Sequence, residues 1–238
     1  MTRLDVALVE AGLTPTRHKA QLAIAAGRVR VNGLTAGKPA QPVKPDDQVA
    51  LDNEPWVSRA AHKLLGALAD ARISVPARCL DAGASTGGFT QVLLSRGAER
   101  VYAVDVGHGQ LDAQVASDAR VTPREGVNVK DLTSADLDGD PVGLAVADLS
   151  FISLAAVLPA LLPLVRDDAL LLVKPQFEVG RGKLGHSGVV RDERLRTQAV
   201  DGVAGAAASL GWREVWRGPS RLPGANGNVE YFLHLRPA

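Results

Sequence analysis

The stretch LDAGASTGGFT, residues 80–90, decides how the rest of the chain is read. Leu80 closes a short apolar run, an acid follows at once, and Gly83, Gly87 and Gly88 arrive within six residues. A glycine-rich turn between a strand and a helix lets backbone come close to a ligand. The spacing is G-x-x-x-G-G. It lacks the second glycine of the G-x-G-x-x-G turn, where a pyrophosphate approaches, and the G-K-[ST] ending of a nucleoside-triphosphate loop.

What remains is a tight turn with Asp81 just ahead of it. An acid there suits the amino group of a cationic amino-acid ligand, directly or through water, while Gly83 admits the backbone. Asp105 closes the next apolar run, VYAVD, where an acid takes ribose hydroxyls. S-adenosylmethionine combines a ribose, an amino-acid tail and a sulfonium charge, and carries no phosphate. The loop therefore reads as a turn for that cofactor in preference to a nicotinamide.

Outward from this turn, strand and helix signals alternate. SRAAHKLLGALADA reads as a helix with Ser58 as its cap, and LDAQVASD as another; RVYAVDV, GLAVADLSF and ALLLVKP read as strands. Alternating units of this length specify an α/β fold, a mainly parallel sheet with helices on both faces. The last two strand signals, WREVWRG and NVEYFLHLR, suit an antiparallel pair.

Residues 1–52 form a separate small α+β unit, residues 53–58 a linker containing Pro55 and Trp56, and residues 59–238 the larger domain. RLDVALVEAGL has apolar residues on roughly one helical face and a closing Gly12. In TPTRHKAQLAIAAG, Thr14 reads as the cap, Pro15 as the first helical turn and Gly27 as the stop. VRVNGLTA predicts a strand and an Asn32-Gly33 turn, and DDQVALD a further strand.

The whole chain has 27 Lys and Arg against 26 Asp and Glu, so charge is informative only locally. Up to residue 45 there are seven Lys and Arg against two acids. Arg17, His18, Lys19, Arg28 and Arg30 crowd together, and a helix start and a strand start are expected to bring them to one end as a phosphate-binding surface. The chain has one cysteine, Cys79, which excludes an internal disulfide and fits a reducing compartment. The N-terminus has no signal-peptide apolar run. The longest uncharged stretch, 149–165, has 17 residues and two prolines, short of the roughly 20 apolar residues of a spanning helix. A cytoplasmic protein without a membrane segment is expected.

Four residues point at chemistry. Asp148 and Lys174 end strand runs, where a doubly wound sheet opens its ligand crevice. Lys63 lies on the helix before the glycine turn, and Glu230 in the last strand. As a group they resemble the Lys-Asp-Lys-Glu tetrad of FtsJ-like ribose 2′-O-methyltransferases. The strings SRAAHKL, DAGASTGGFT, DVGHGQL, ADLSFISL, VKPQFEVG and GNVEYF are similar to TlyA-type proteins, rRNA methyltransferases once called haemolysins. The small unit, through R-D-x-A-L-V-E-x-G, T-R-x-K-A and G-x-V-x-V-N-G read along residues 2–51, resembles the alpha-L RNA-binding motif.

The resemblance implies a Rossmann-like, S-adenosylmethionine-dependent methyltransferase that needs no metal and no obligate protein partner. It makes Lys63, Asp148, Lys174 and Glu230 catalytic, and Asp81, Gly83, Ser85, Gly87, Asp105, Asn128 and Asp148 cofactor-binding. It implies 2′-O-methylation of a ribose, a cytidine, in ribosomal RNA of a folded subunit. Lys174 then either takes the hydroxyl proton or stays charged and stabilises the developing alkoxide. Arg17, Lys19, Arg28 and Arg30 are expected to touch RNA. Arg181 and Lys183, in the basic glycine-rich segment 179–196, would grip substrate, unless that segment is an ordinary solvent loop. The rival readings are a membrane-active haemolysin and a non-catalytic RNA-binding protein.

Overall fold

In this computed structural model the described residues are 1–25, 27–52, 55–180, 188–224 and 227–238, and the chain divides into two units, Met1–Pro55 and Trp56–Ala238. The first unit runs β1 (Thr2–Arg3), α1 (Leu4–Glu10), α2 (Arg17–Ala25), β2 (Val29–Val31), β3 (Leu34–Thr35), β4 (Pro42–Val43) and β5 (Val49–Leu51). Leu4 and Leu8 of α1 share a small core with Ala20, Ala23 and Ile24 of α2 and with Val29 and Val31 of β2. Gly12 and Gly27 stop the helices at left-handed φ of +70° and +71°. Asn32 and Gly33, both at positive φ, turn β2 into β3, which is what a two-residue hairpin requires.

Two local readings change. Thr16, not Thr14, caps α2: its Oγ1 accepts the Lys19 N–H at 3.2 Å, while Thr14 is buried ahead of the helix. The pairing of β1 with β4 is legible only in space, because strands of two residues have no alternation to read.

The second unit runs α3 (Ala60–Asp70), β6 (Arg78–Ala82), α4 (Gly88–Ser95), β7 (Arg100–Asp105), α5 (Ala113–Ala116), β8 (Val121–Glu125), β9 (Val142–Ala147) and α6 (Leu158–Leu161). It continues with β10 (Val165–Val173), α7 (Pro175–Glu178), α8 (Glu193–Ser209), β11 (Trp212–Pro219) and β12 (Tyr231–Pro237). Seven strands form one sheet in the order β11-β12-β10-β9-β6-β7-β8. Those from β10 to β8 are parallel, and β12 is antiparallel to both β10 and β11.

Both faces of this sheet are buried, and along the strand centres the side chains sort by the strand's period of two. Leu80, Tyr102, Ala145 and Leu171 enter the core on one face; Cys79, Val101, Leu144 and Leu170 enter the core on the other. Burial pushes the Cys79 thiol up to about 12, as befits a strand residue with no reactive role. Ser58 does not cap α3 with its side chain; its carbonyl accepts the Ala61 N–H at 3.2 Å. Among the described residues no helix is long and apolar enough to cross a membrane. The parallel strands β6, β7, β9 and β10 end near Ala82, Asp105, Ala147 and Val173, and the loops that leave these ends build the site.

Candidate active site

Two cavities open at these strand ends within the larger unit. The first, about 470 Å³, is lined by Asp105 and Gln110 on one side and by Val127, Asn128, Leu149 and Ile152 on the other. Asp105 is held by backbone: its Oδ2 accepts the Ser85 N–H and its Oδ1 the Gly107 N–H, both at 2.8 Å. Asn128 caps the short turn 129–131 by accepting the Lys130 N–H at 3.0 Å. Among the described residues no lysine or arginine lines this cavity, whereas two carboxylates, Asp105 and Asp148, do. A pocket of that charge suits a cationic ligand that carries a ribose, and disfavours a pyrophosphate.

The glycine turn closes the cavity from below. At Gly83, φ is +88° and a Cβ would lie 2.6 Å from the Asp148 carbonyl oxygen. The residue is a glycine because the chains leaving the neighbouring parallel strands β6 and β9 run this close together, a tie that the Asp148 N–H strengthens by donating to the Ala82 carbonyl at 3.0 Å. Ser85 follows, also at positive φ.

Two residues expected in the cofactor pocket, Asp81 and Gly87, line neither cavity. Asp81 is fully buried behind the turn, where its Oδ2 accepts the Thr90 hydroxyl at 2.7 Å. Burial, reinforced by the nearby Asp148 charge, pushes its carboxyl up to about 7 against the pull of that hydrogen bond. Gly87 starts α4 at φ +94°, and a Cβ there would press on Leu111 and Val115 at 2.8–2.9 Å. The acid and the glycine brace the turn from the core side.

The second cavity, about 390 Å³, shares Gly83, Ser85, Asp148, Ser150 and Phe151 with the first. Its floor carries two ion pairs. Lys63 Nζ of α3 lies 2.6 Å from Glu230 Oε2, with side chains 7% and 2% exposed. Lys174 Nζ lies 2.6 Å from Asp148 Oδ1 and donates to Ser150 Oγ at 2.7 Å. All four of the predicted catalytic residues thus line one cavity, and Asp148 stands where it joins the other.

Two lining residues, Phe151 and Phe177, and a carboxylate behind them, Glu178, escape sequence reasoning. Phe151 is 92% exposed at φ +64°, and its ring centroid is 5.3 Å from that of Phe177 in α7. Glu178 accepts the Ser153 hydroxyl at 2.6 Å and the Leu154 N–H at 2.8 Å, tying α7 to the loop that follows Asp148. Burial raises the Glu178 carboxyl above its ordinary value, and those two bonds pull it back. These residues neighbour Asp148 and Lys174 in the chain, so adjacency to a strand-end charge was the signal available.

Comparison with known proteins gives the family. Residues 56–237 match the model of FtsJ-like methyltransferases, and residues 2–49 that of the S4 domain. A 16S/23S rRNA (cytidine-2′-O)-methyltransferase TlyA from Mycobacterium tuberculosis is 54% identical, covering 98% of this chain and 89% of its own. The chain belongs to the TlyA family. Its relatives include Hemolysin A of Brachyspira hyodysenteriae, 39% identical over 98% of this chain and 99% of that one. A hemolysin-named protein from Streptococcus thermophilus of solved structure is 37% identical, with a TM-score of 0.77 over 100% of this chain and 88% of that one.

In this TlyA-family chain the predicted RNA-binding cations of the small unit divide into two groups. Arg17 and Lys19 lie in the first turn of α2. Arg28 lies at the far end of that helix, where its N–H donates to the Ala23 carbonyl at 3.0 Å. The expectation that they share one end is corrected, because a nine-residue helix separates its ends by about 12 Å. Arg17 also donates to Asp5 Oδ2 at 3.0 Å, and Arg30 to Asp52 Oδ2 at 3.1 Å. Lys19 and Arg28 have no ion-pair partner among the described residues. Asp5, fully buried and given no role of its own in the sequence reading, accepts from Arg3, Gln21 and Arg17 and is held well below the usual carboxylate range, the Arg3 bond contributing most. Arg181 and Lys183 lie outside the described residues.

Proposed function

We propose that this chain methylates the 2′-hydroxyl of a cytidine ribose in ribosomal RNA, acting on a folded ribosomal subunit in the cytoplasm. One observation carries the reading. Asp148 borders both cavities, so a donor held in the first and a hydroxyl held in the second meet beside the carboxylate that pairs with Lys174.

S-adenosylmethionine, when bound, supplies a methyl group already activated by its sulfonium charge. Asp105 would take its ribose hydroxyls, Asn128 and the apolar wall its adenine, and Gly83 and Ser85 its amino-acid end. Lys174, ion-paired and hydrogen-bonded, would present a donor to the acceptor hydroxyl and stabilise the oxygen as its proton passes to water, the methyl leaving its sulfur for that oxygen. Lys63 and Glu230 keep a second buried charge pair on the same floor, where geometry, once set, costs no reorganisation during reaction. The exposed ring of Phe151, at the cavity mouth, offers a face on which an unstacked base can rest. The S4 unit, residues 1–52, would supply affinity for the RNA, and residues 59–238 the chemistry.

The test is incubation of the protein with methyl-labelled S-adenosylmethionine and ribosomal subunits that lack the modification, followed by nucleoside analysis. Label in 2′-O-methylcytidine is the expected result. Label on a base, or binding of RNA with no transfer, would overturn the reading.

A further inference from the structure

The Lys63–Glu230 pair has an unusual neighbour. The chain between β11 and β12 folds back over Glu230: the Ser220 N–H donates to the Glu230 carbonyl at 2.8 Å, and the Gly224 N–H to the Asn228 carbonyl at 2.9 Å. Asn228, itself buried, accepts the Val190 N–H through its side chain at 3.1 Å and so anchors this fold to the segment before α8. The result is that Gly224 faces the Glu230 carboxylate directly. A Cβ at 224 would lie 2.5 Å from Glu230 Cδ and closer still to Oε1. The backbone at Gly224 is not in the left-handed region, so conformational freedom does not explain the glycine.

We infer that Gly224 is a positioning residue for methyl transfer, its missing side chain being the space that lets the backbone press the Glu230 carboxylate onto Lys63. Oε2 faces the Lys63 ammonium at 2.6 Å while Oε1 faces Gly224, so the carboxylate is gripped between a charge and a stretch of main chain. Glu230 is 2% exposed, and the space open to its carboxylate is the cavity floor, away from Lys63. Any side chain at 224 must therefore push the carboxylate along or away from its partner, and Lys63 then loses the geometry on which the cavity floor depends. The inference rests on the catalytic role proposed above for the Lys63–Glu230 pair. It goes beyond that role by naming what sets the pair.

The test is a two-by-two set: the wild type, Gly224→Ala, Glu230→Asp and the double variant. Misplacing a catalytic group by about 1 Å costs up to about 10²-fold. Gly224→Ala should therefore lower kcat by about 100-fold while S-adenosylmethionine affinity stays within about threefold. Aspartate is shorter by one methylene. Glu230→Asp should impair the enzyme when residue 224 is glycine, yet recover about tenfold in the Gly224→Ala background. Full activity of Gly224→Ala, or equal harm from Glu230→Asp in both backgrounds, would overturn the proposal.

If Gly224→Ala folds poorly, melting temperatures of the same four proteins carry the same crossing. Glu230→Asp should then restore stability to the Gly224→Ala protein, and its failure to do so would overturn the proposal. Should the wild type transfer no methyl group, the functional reading fails by itself. The crossing in melting temperature still decides whether Gly224 sets the Lys63–Glu230 pair.

Discussion

The two units of the molecule use their positive charges in opposite ways. In the larger unit Lys63 and Lys174 are nearly buried, and each faces a carboxylate at 2.6 Å. In the smaller unit Arg17, Lys19 and Arg30 stand in solvent, and the pairs that Arg17 and Arg30 make are partly exposed. A buried pair is costly to break because it leaves one charge uncompensated, and that cost enforces geometry. An exposed charge is cheap to move, and its use is to replace the counterions of a polyanion. On the proposed function, the contrast separates a part that holds atoms in place from a part that holds a large, irregular partner.

The sharpest way to break the comparison is Lys174→Ala. Methyl transfer should fall by about 10³-fold, the scale of losing a preorganised donor at a developing charge. S-adenosylmethionine affinity, measured by calorimetry, should stay within about threefold. An equal loss of cofactor binding would remove Lys174 from the catalytic group.

Asp81→Asn probes the buried charge behind the turn. Burial pushes the folded carboxyl up to about 7 from an ordinary value of 3.8, so between the two the native protein keeps a proton that the unfolded chain has released. Stability contributed by that group is complete below the ordinary value and is lost as pH rises toward 7. Asp81→Asn, which cannot titrate, should gain on the wild type across that window by on the order of a few kcal/mol. Parallel melting profiles at about pH 5 and about pH 8 would refute the assignment.

Asp105→Ala should weaken S-adenosylmethionine by roughly 1–3 kcal/mol, the cost of leaving buried polar partners unsatisfied. An unchanged dissociation constant would put the ribose elsewhere.

On the side of the small unit, replacing Lys19 and Arg28 together by alanine should lower the slope of log affinity for ribosomal RNA against log salt. The expected loss is roughly 0.7–0.9 for each phosphate contact. Arg17→Ala should change the slope less, because Asp5 already holds that guanidinium. If the variants bind with an unchanged slope, the basic cluster is only a solvated surface. The smallest effect belongs to Asp52→Asn, which breaks an exposed pair with Arg30 and should cost at most about 1 kcal/mol in chemical denaturation.

Much of this was legible in residue order. Runs such as VYAVD and LLLVK announce strands that end in charge, and alternation with helical segments implies a parallel sheet whose strand ends converge. Asp105, Asp148 and Lys174 could be placed near one another from that rule alone. Gly12, Gly27 and the Asn32-Gly33 turn were legible for the same local reason, since a left-handed φ selects these residues.

What the chain order could not give were contacts between segments far apart in it. Lys63 and Glu230 are 167 residues apart, and only the packing of α3 on the sheet, beside the start of β12 that Glu230 immediately precedes and not within the strand as its sequence suggested, makes them a pair. Asp81 reads as a ligand residue because it precedes a glycine turn, yet the strand's pleat turns it inward to Thr90. Thr14 and Thr16 are equally good caps by composition, and the helix start chose between them. Gly87 and Gly224 look like loop glycines, and only the packed structure reveals the side chains that each must admit. By itself the sequence determined the architecture, the strand ends and the chemical kinds of residue gathered there, because these follow from local propensity and periodicity. The tertiary structure decided which charges became partners and which glycines were spacers, because close packing is a property of surfaces that meet only after folding.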